Sequence, residues 1–285
     1  MKLNSKFHDK FSTYAILTLL SVLMGAPLLY ILSIALASDE TTYMATFTLI
    51  PKEFHFENFV RVFQLDLNFL RFTINSLILV VFSIIGQVIS SSMVAYGFAR
   101  LRGPGKNVLF LILLSTMMIP GEVTMIPSFV IFKYLGWINT MLPLIIPNFF
   151  TNAFNVFLLR QFISRIPVEL DEAAQMDGLG FFGIFVRIIL PLIKPALIAI
   201  AIFTFTWNWG WFMGPLIYIN DVDKSPLALG VQILSATSSS GQVPPWNLVS
   251  VGSLLLTLPM LIVYFFGQKY LDEFGLMSGG SVGIK

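Results

Sequence analysis

The segment from residue 167 to 178 has the residue types of a short exposed helix that binds a partner protein. Pro167 suits the first position of a helix, where a missing N–H leaves no hydrogen bond unmade. Glu169 and Asp171 follow at the end of the helix where negative charge is stabilising, and Gly178 can adopt the left-handed conformation that ends a helix. We therefore predict a helix of about three turns. Its acids could meet basic residues of a partner, although an ordinary loop helix has a similar composition.

Amide and carboxyl side chains also occur inside stretches that are otherwise apolar. The candidates for contact with a solute are Asn75, Gln87, Glu122, Asn152, Asn155 and Asn208. Asn148 precedes Asn152 and Asn155 at helical spacing, which predicts that the three share one helix face. Amides can hydrogen-bond to the hydroxyl groups of a sugar, but they also join neighbouring helices, and Glu122 could simply reach water.

Several other kinds of chemistry lack the residues they need. The chain has no cysteine, which excludes disulfides and thiolate sites, and neither His8 nor His55 has a metal-ligand partner at i+3 or i+4. No Gly-x-x-x-x-Gly-Lys-Ser/Thr loop is present, so we do not expect this chain to bind or hydrolyse ATP. A net charge of +2 gives no reason to expect nucleic acid.

The composition identifies lipid as the solvent of this chain. Of its 285 residues, 56% are hydrophobic and 11% are charged, whereas a soluble domain has about 25% charged residues. The mean hydropathy is +0.83. So few charges could not cover the surface of a water-soluble globule, and we predict an all-α, polytopic membrane protein.

Six stretches are long enough to cross a bilayer as helices. They lie near residues 14–37, 73–98, 107–127, 140–159, 195–217 and 246–268. The first is too long for a typical signal sequence, so we expect an uncleaved span. Prolines within the spans predict kinks that pack against protein, at Pro27, Pro120, Pro147 and Pro259.

The distribution of basic residues predicts the orientation. With six spans, 12 of the 17 Lys and Arg residues fall on the side of the N-terminus. Because basic loops remain in the cytoplasm, both termini and the loop 160–194 are expected there.

The cytoplasmic loop resembles the signature of permeases of binding-protein-dependent ABC importers. That signature is Glu-Ala-Ala, three residues, Gly, nine residues, then Ile-x-Leu-Pro. The matching residues are Glu172, Ala173, Ala174, Gly178, Ile188, Leu190 and Pro191. The rest of the chain is similar to the six-span, maltose-system-like permeases of the carbohydrate branch, including the segment 51–63 and the Gly-rich tail 268–283.

The resemblance implies a single permease domain over residues 1–285, with the type I importer fold and a cytoplasmic coupling helix. Its partners would be a second homologous permease, two ATP-binding subunits and an external solute-binding protein. ATP and magnesium would bind to the partner subunits. This chain would bind no cofactor and would not itself be an enzyme. Glu172, Ala173, Ala174, Asp177, Gly178, Leu190 and Pro191 would couple it to the ATPases. The protein would reside in the cell (inner) membrane of a bacterium or archaeon and import a sugar.

Two alternatives remain at this stage. The same machine could carry glycerol phosphate, a polyol or a peptide, and in some relatives only the partner permease contacts the substrate. A different class, the ion-coupled secondary carriers and channels, often shows ionisable residues at mid-membrane or inverted repeats. Glu122 is the only acid within the six predicted spans, and we find no repeat.

Overall fold

A computed structural model describes residues 2–43, 50–51, 53–65, 67–236 and 244–278. This part of the chain is helical and contains no β-strand, which confirms the all-α prediction. The helices are α1 (Lys2–Ala35), α2 (Asp39–Tyr43), α3 (Asn58–Gln64), α4 (Phe69–Arg100), α5 (Lys106–Ser115), α6 (Gly121–Tyr134), α7 (Leu142–Ile145), α8 (Ala153–Ile163), α9 (Glu169–Met176), α10 (Phe181–Ile184), α11 (Leu190–Leu192), α12 (Lys194–Trp209), α13 (Met213–Tyr218), α14 (Leu227–Ala236) and α15 (Trp246–Ser278). Phe185–Ile189 forms π-helical turns between α10 and α11.

The described residues contain four to six segments that are long and apolar enough to span a membrane. Four are single segments: Thr13–Ala35, Phe69–Arg100, Leu142–Ile163 and Trp246–Asp272. The other two are bent pairs, Lys106–Met118 with Gly121–Tyr134 at 99° and Phe181–Leu192 with Lys194–Trp209 at 77°. Pro120 accounts for the first bend, because it removes an N–H and forces Ile119 into an extended conformation.

The structure of the fourth predicted stretch, residues 140–159, shows that the prediction of three asparagines on one helix face was wrong. After α7 the chain continues as a 3₁₀ helix over Ile146–Phe150, and Thr151 then adopts a φ of +70°. Asn152 lies outside α8 as its N-cap, where its side-chain oxygen accepts a 2.8 Å hydrogen bond from the Phe154 N–H. Asn148, Asn152 and Asn155 therefore belong to three different local structures.

The chain forms two compact units, the first of which comprises Met1–Phe69 and Val231–Thr257. Its α1 exposes large apolar side chains, such as Leu19 at 69% and Met24 at 77%, as expected of a surface solvated by lipid. A polar cluster in this unit is centred on Asp39. The Arg61 guanidinium contacts both carboxylate oxygens at 3.0 and 3.3 Å, and Asn247 Nδ2 donates to Oδ1 at 2.6 Å.

This cluster predicts a pH-dependent contribution to stability. Hydrogen bonds from Arg61 hold the pKa of Asp39 below its ordinary value of 3.8. The stabilisation is therefore complete above that value and is lost as the pH falls through the lowered pKa. Both side chains are 42% exposed, so the pair contributes about 1 kcal/mol or less. In thermal melts of the purified protein, Asp39→Asn should be less stable than the wild type at pH 7, and the difference should shrink below pH 4. The control is Glu40→Gln, a change at the exposed neighbouring acid, which should show no such trend.

The second unit comprises Leu70–Gly230 and Leu258–Lys285. An apolar cluster in this unit joins α4, α5, α8, α9 and the segment from α10 to α12, and includes Tyr96, Leu159, Ala174, Ile189 and Ile200. Because α9 contributes to this core, the loop that carries the Glu-Ala-Ala motif is packed against the spans.

Candidate functional site

Helix α9 begins later and is shorter than the sequence predicted. It starts at Glu169, two residues after Pro167, and has eight residues instead of about three turns. The N-cap is Val168, whose carbonyl accepts hydrogen bonds from Asp171 N at 2.9 Å and Glu172 N at 3.1 Å, while the Pro167 carbonyl accepts only a longer one, 3.4 Å, from Leu170 N. Pro167 therefore leads into the helix without forming part of it.

The predicted glycine stop is confirmed in detail. Gly178 has a φ of +83°, its N–H donates to Gln175 O at 2.9 Å, and the N–H of Leu179 donates to Ala174 O at 3.0 Å. This pair of bonds is the Schellman arrangement, which satisfies carbonyls left free at a helix end.

The two faces of α9 differ in what they contact. Asp171 and Ala174 are buried in the second unit, whereas Glu172, Ala173 and Met176 are exposed. Of the Glu-Ala-Ala motif, Ala174 therefore serves internal packing, and Glu172 with Ala173 forms the surface open to a partner.

The other four residues predicted to couple the chain to the ATPases occupy two places. Asp177 and Gly178 are exposed at the end of α9, whereas Leu190 and Pro191 lie in α11, close to the 77° bend that leads into α12. The Leu-Pro pair thus lies where the loop returns to the membrane-spanning part of the chain.

Two side chains of α4 contact the loop that contains α9, on its buried face. Arg100 Nε lies 2.8 Å from Asp171 Oδ2, and Arg100 Nη2 donates to Ile166 O at 2.7 Å. The Tyr96 hydroxyl donates to Phe181 O at 3.1 Å. Burial raises the pKa of Asp171, and the positive charge of Arg100 opposes that shift. A cavity of about 700 Å³ lies beside the pair.

Four of the six candidate solute contacts line a single cavity of about 400 Å³ in the second unit. They are Gln87, Asn152, Asn155 and Asn208, joined by Asn148, Thr204 and the aromatic residues Phe154, Phe203 and Trp207. A second cavity, of about 440 Å³, shares Gln87, Asn148, Asn152, Trp207 and Asn208 with the first and is flanked by α6. The two spaces therefore adjoin along a wall of amide side chains.

Gln87 is the centre of this wall. Its Oε1 accepts from Asn155 Nδ2 at 3.0 Å and from Ser91 Oγ at 3.3 Å, and its Nε2 donates to Asn148 Oδ1 at 3.4 Å. Asn148 Nδ2 in turn donates to Ser83 Oγ at 3.0 Å. The network joins α4 to both parts of the broken fourth stretch, and it holds the amides in fixed orientations.

The structure places the other two candidates elsewhere. Asn75 Nδ2 donates to Asp223 O at 2.9 Å and to Ser225 O at 3.0 Å, so it anchors the segment between α13 and α14. Glu122 is exposed in the first turn of α6 and lines neither cavity.

Sequence reasoning missed residues that support this wall or line the cavities. Ser83 and Ser91 lie four positions before and after Gln87 on α4, a polar stripe at helical spacing in an apolar span. That spacing was a detectable signal. Phe154 and Phe203 carried no comparable signal, because phenylalanine occurs throughout the chain.

Helix α4 packs so closely against this wall at Gly86 that we expect no larger residue to be tolerated there. A Cβ at Gly86 would lie 2.8 Å from Phe149 Cδ2 and 3.0 Å from the Asn148 backbone, whereas a Cβ at Gly97 on the same helix meets nothing within 4 Å. Gly86→Ala should therefore destabilise the purified protein by about 1–3 kcal/mol in thermal melts. Gly97→Ala is the control and should be neutral or slightly stabilising, since alanine favours helix. Equal effects at the two positions would contradict the close packing at Gly86.

Comparisons with known proteins agree with this architecture. A family model described as "Binding-protein-dependent transport system inner membrane component" matches residues 87–274. The polygalacturonan/rhamnogalacturonan transport system permease protein YtcP of Bacillus subtilis (strain 168) is 31% identical over 284 residues, covering 94% of this chain and 96% of the relative. The arabinooligosaccharides transport system permease protein AraQ of the same organism is 33% identical over 233 residues, covering 82% and 81%.

A solved structure extends the agreement to the fold. A chain in the crystal structure of a bacterial ABC transporter involved in the import of the acidic polysaccharide alginate matches with a TM-score of 0.82 and 25% identity, covering 93% of this chain and 97% of that chain. The family inferred from the loop motif is thus confirmed by its sequence model, by relatives along nearly the whole chain and by the fold. The chain belongs to the inner-membrane permease components of binding-protein-dependent ABC importers.

Proposed function

We propose that this permease imports an oligosaccharide and that its two adjoining cavities contribute to the translocation pathway. The observation that carries the proposal is the lining of these cavities, where amide and hydroxyl side chains lie beside aromatic and aliphatic ones and none of the described lining residues is charged. Amides hydrogen-bond to hydroxyl groups in either direction, and aromatic rings offer flat apolar faces. A phosphate-bearing solute would call for basic groups. The transport systems of YtcP and AraQ are named for oligomeric or polymeric sugars, which agrees with this choice.

We further propose that α9 is the coupling helix. Its exposed Glu172 and Ala173 would meet one of two ATPase subunits, which bind ATP and magnesium, while a second homologous permease completes the pathway. Movement of α9 when the ATPases close would drive alternating access. The motif match and the exposed outer face of α9 support this role. The excess of basic residues on the side of the N-terminus supports cytoplasmic termini.

Purification with native partners tests the assembly. The tagged chain, solubilised from its own membrane, should recover a second permease, an ATPase and a solute-binding protein. Recovery of the chain alone, under conditions that preserve other membrane complexes, would contradict the proposed partners.

Uptake by the reconstituted complex tests the substrate class. Proteoliposomes loaded with ATP and given the binding protein should accumulate labelled oligosaccharides from a panel of neutral and uronic-acid chains. Uptake confined to glycerol phosphate would contradict the sugar assignment and leave the importer assignment standing.

A further inference from the structure

The end of α4 contacts the coupling loop at three successive points. Arg100 reaches Ile166, just before α9, and Asp171, within α9, while Tyr96 reaches Phe181, just after α9. Tyr96 and Arg100 are four residues apart and therefore share one face of α4. One helix face thus contacts the chain before, within and after α9.

The ion pair at the centre of these contacts is buried. The side chains of Arg100 and Asp171 are only 6% and 7% exposed. The geometry is that of a close ion pair without a linear hydrogen bond at Nε, and the described residues supply no hydrogen-bond donor to Asp171 Oδ1. Separating the pair would leave two buried charges without compensation, so the contact resists opening.

The same helix continues to the wall of amides. Helix α4 runs without proline from Phe69 to Arg100, and Gln87 lies 13 residues before Arg100, a distance of about 20 Å along the helix. Gln87 contacts Asn148 and Asn155 of the cavity wall. A displacement of α9 that reaches Arg100 would therefore tilt the element that holds the wall together.

We propose that Tyr96 and Arg100 form a latch on Ile166, Asp171 and Phe181, through which α9 and α4 move as one body. The proposal rests on the proposed role of α9 as the coupling helix. Tyr96, Arg100 and Asp171 are positioning residues, because they act through α4 and line neither solute cavity. The latch gives the motion of α9 a direct route to the amide wall.

The test compares uptake per ATP hydrolysed in reconstituted complexes. Arg100→Gln and Asp171→Asn should each lower this ratio about ten-fold while ATP hydrolysis continues. The double variant should be no worse than the poorer single variant, since each single change already breaks the pair and leaves one charge uncompensated. Tyr96→Phe, which removes only the hydroxyl, should lower the ratio less. Arg102→Gln, at the exposed arginine two positions on, is the control and should keep the wild-type ratio.

Milder variants keep the test decisive if a charge-removing variant fails to accumulate. Arg100→Lys retains the charge and loses the guanidinium contact with Ile166, so it should assemble with an intermediate ratio. Wild-type ratios in Arg100→Lys and Tyr96→Phe would overturn the latch, and so would additive losses in the double variant. A wild-type complex without ATP-driven uptake would contradict the proposed function itself, so the two failures are distinguishable.

Discussion

Combining Glu172→Lys with Gly178→Leu should leave the permease inserted in the membrane and abolish the link between ATP hydrolysis and uptake. Glu172 is exposed on the outer face of α9, so the substitution reverses a charge on the surface proposed to meet the ATPase. Gly178 has a φ of +83°, a conformation that costs a leucine about 1 kcal/mol or more. The strain would break the Schellman turn and misdirect the end of the helix. We expect uptake per ATP to fall at least about ten-fold.

A neighbouring glycine provides the matched control. Gly180 has a φ of −76°, and a Cβ at this position meets nothing within 4 Å. Gly180→Leu should therefore assemble and transport as the wild type does. Quantitative blots of membranes measure insertion, and proteoliposomes measure uptake and hydrolysis together. Wild-type uptake by a fully expressed double variant would contradict the proposed coupling role of α9.

Gln87→Leu should produce the second large effect. Uptake should fall, whereas ATP hydrolysis by the partner ATPases should continue. Gln87 is buried and accepts hydrogen bonds from Asn155 and Ser91. Leucine fills a similar volume but leaves the Asn155 amide without its acceptor, at a cost of about 1–3 kcal/mol. The amide wall should then lose its fixed geometry, and the maximal uptake rate should fall several-fold.

Kinetics separate a pathway role from a purely structural one. Gln232→Leu makes the same chemical change at an exposed position of α14 and should leave both stability and uptake unchanged. Initial uptake rates should be measured across solute concentrations and corrected for the amount of complex. A Gln87→Leu complex that melts earlier but keeps wild-type kinetics would show that the network is only structural.

The two ends of α9 show what local sequence can predict. The end at Gly178 was predictable because a left-handed residue after a helix is a local requirement that glycine satisfies best. The start was misplaced by two residues, since Pro167 is compatible with several positions near a helix start and the N-cap, Val168, has no side chain that can form a cap.

The interior of the site depended on contacts between distant parts of the chain. Pro147 predicted a kink within residues 140–159, whereas the spacing of the asparagines wrongly suggested a continuous helix. The break at Thr151 is accompanied by contacts with α4, including a 2.8 Å hydrogen bond between its hydroxyl and that of Ser91. Likewise, Arg100 and Asp171 carry no local sign of pairing, being 71 positions apart. The motif located the loop, whereas only the folded structure shows that Asp171 and Ala174 face inward.

Measuring which energy source drives uptake is the most direct test of the proposal that this chain is part of an ATP-driven importer. Proteoliposomes should contain the complex purified with its native partners, with the solute-binding protein and labelled solute outside. We predict uptake that requires internal ATP and the ATPase subunits and that proceeds at an unchanged rate when a protonophore removes the ion gradient. Uptake that persists without the ATPases and collapses with the protonophore would instead identify an ion-coupled carrier and contradict the account.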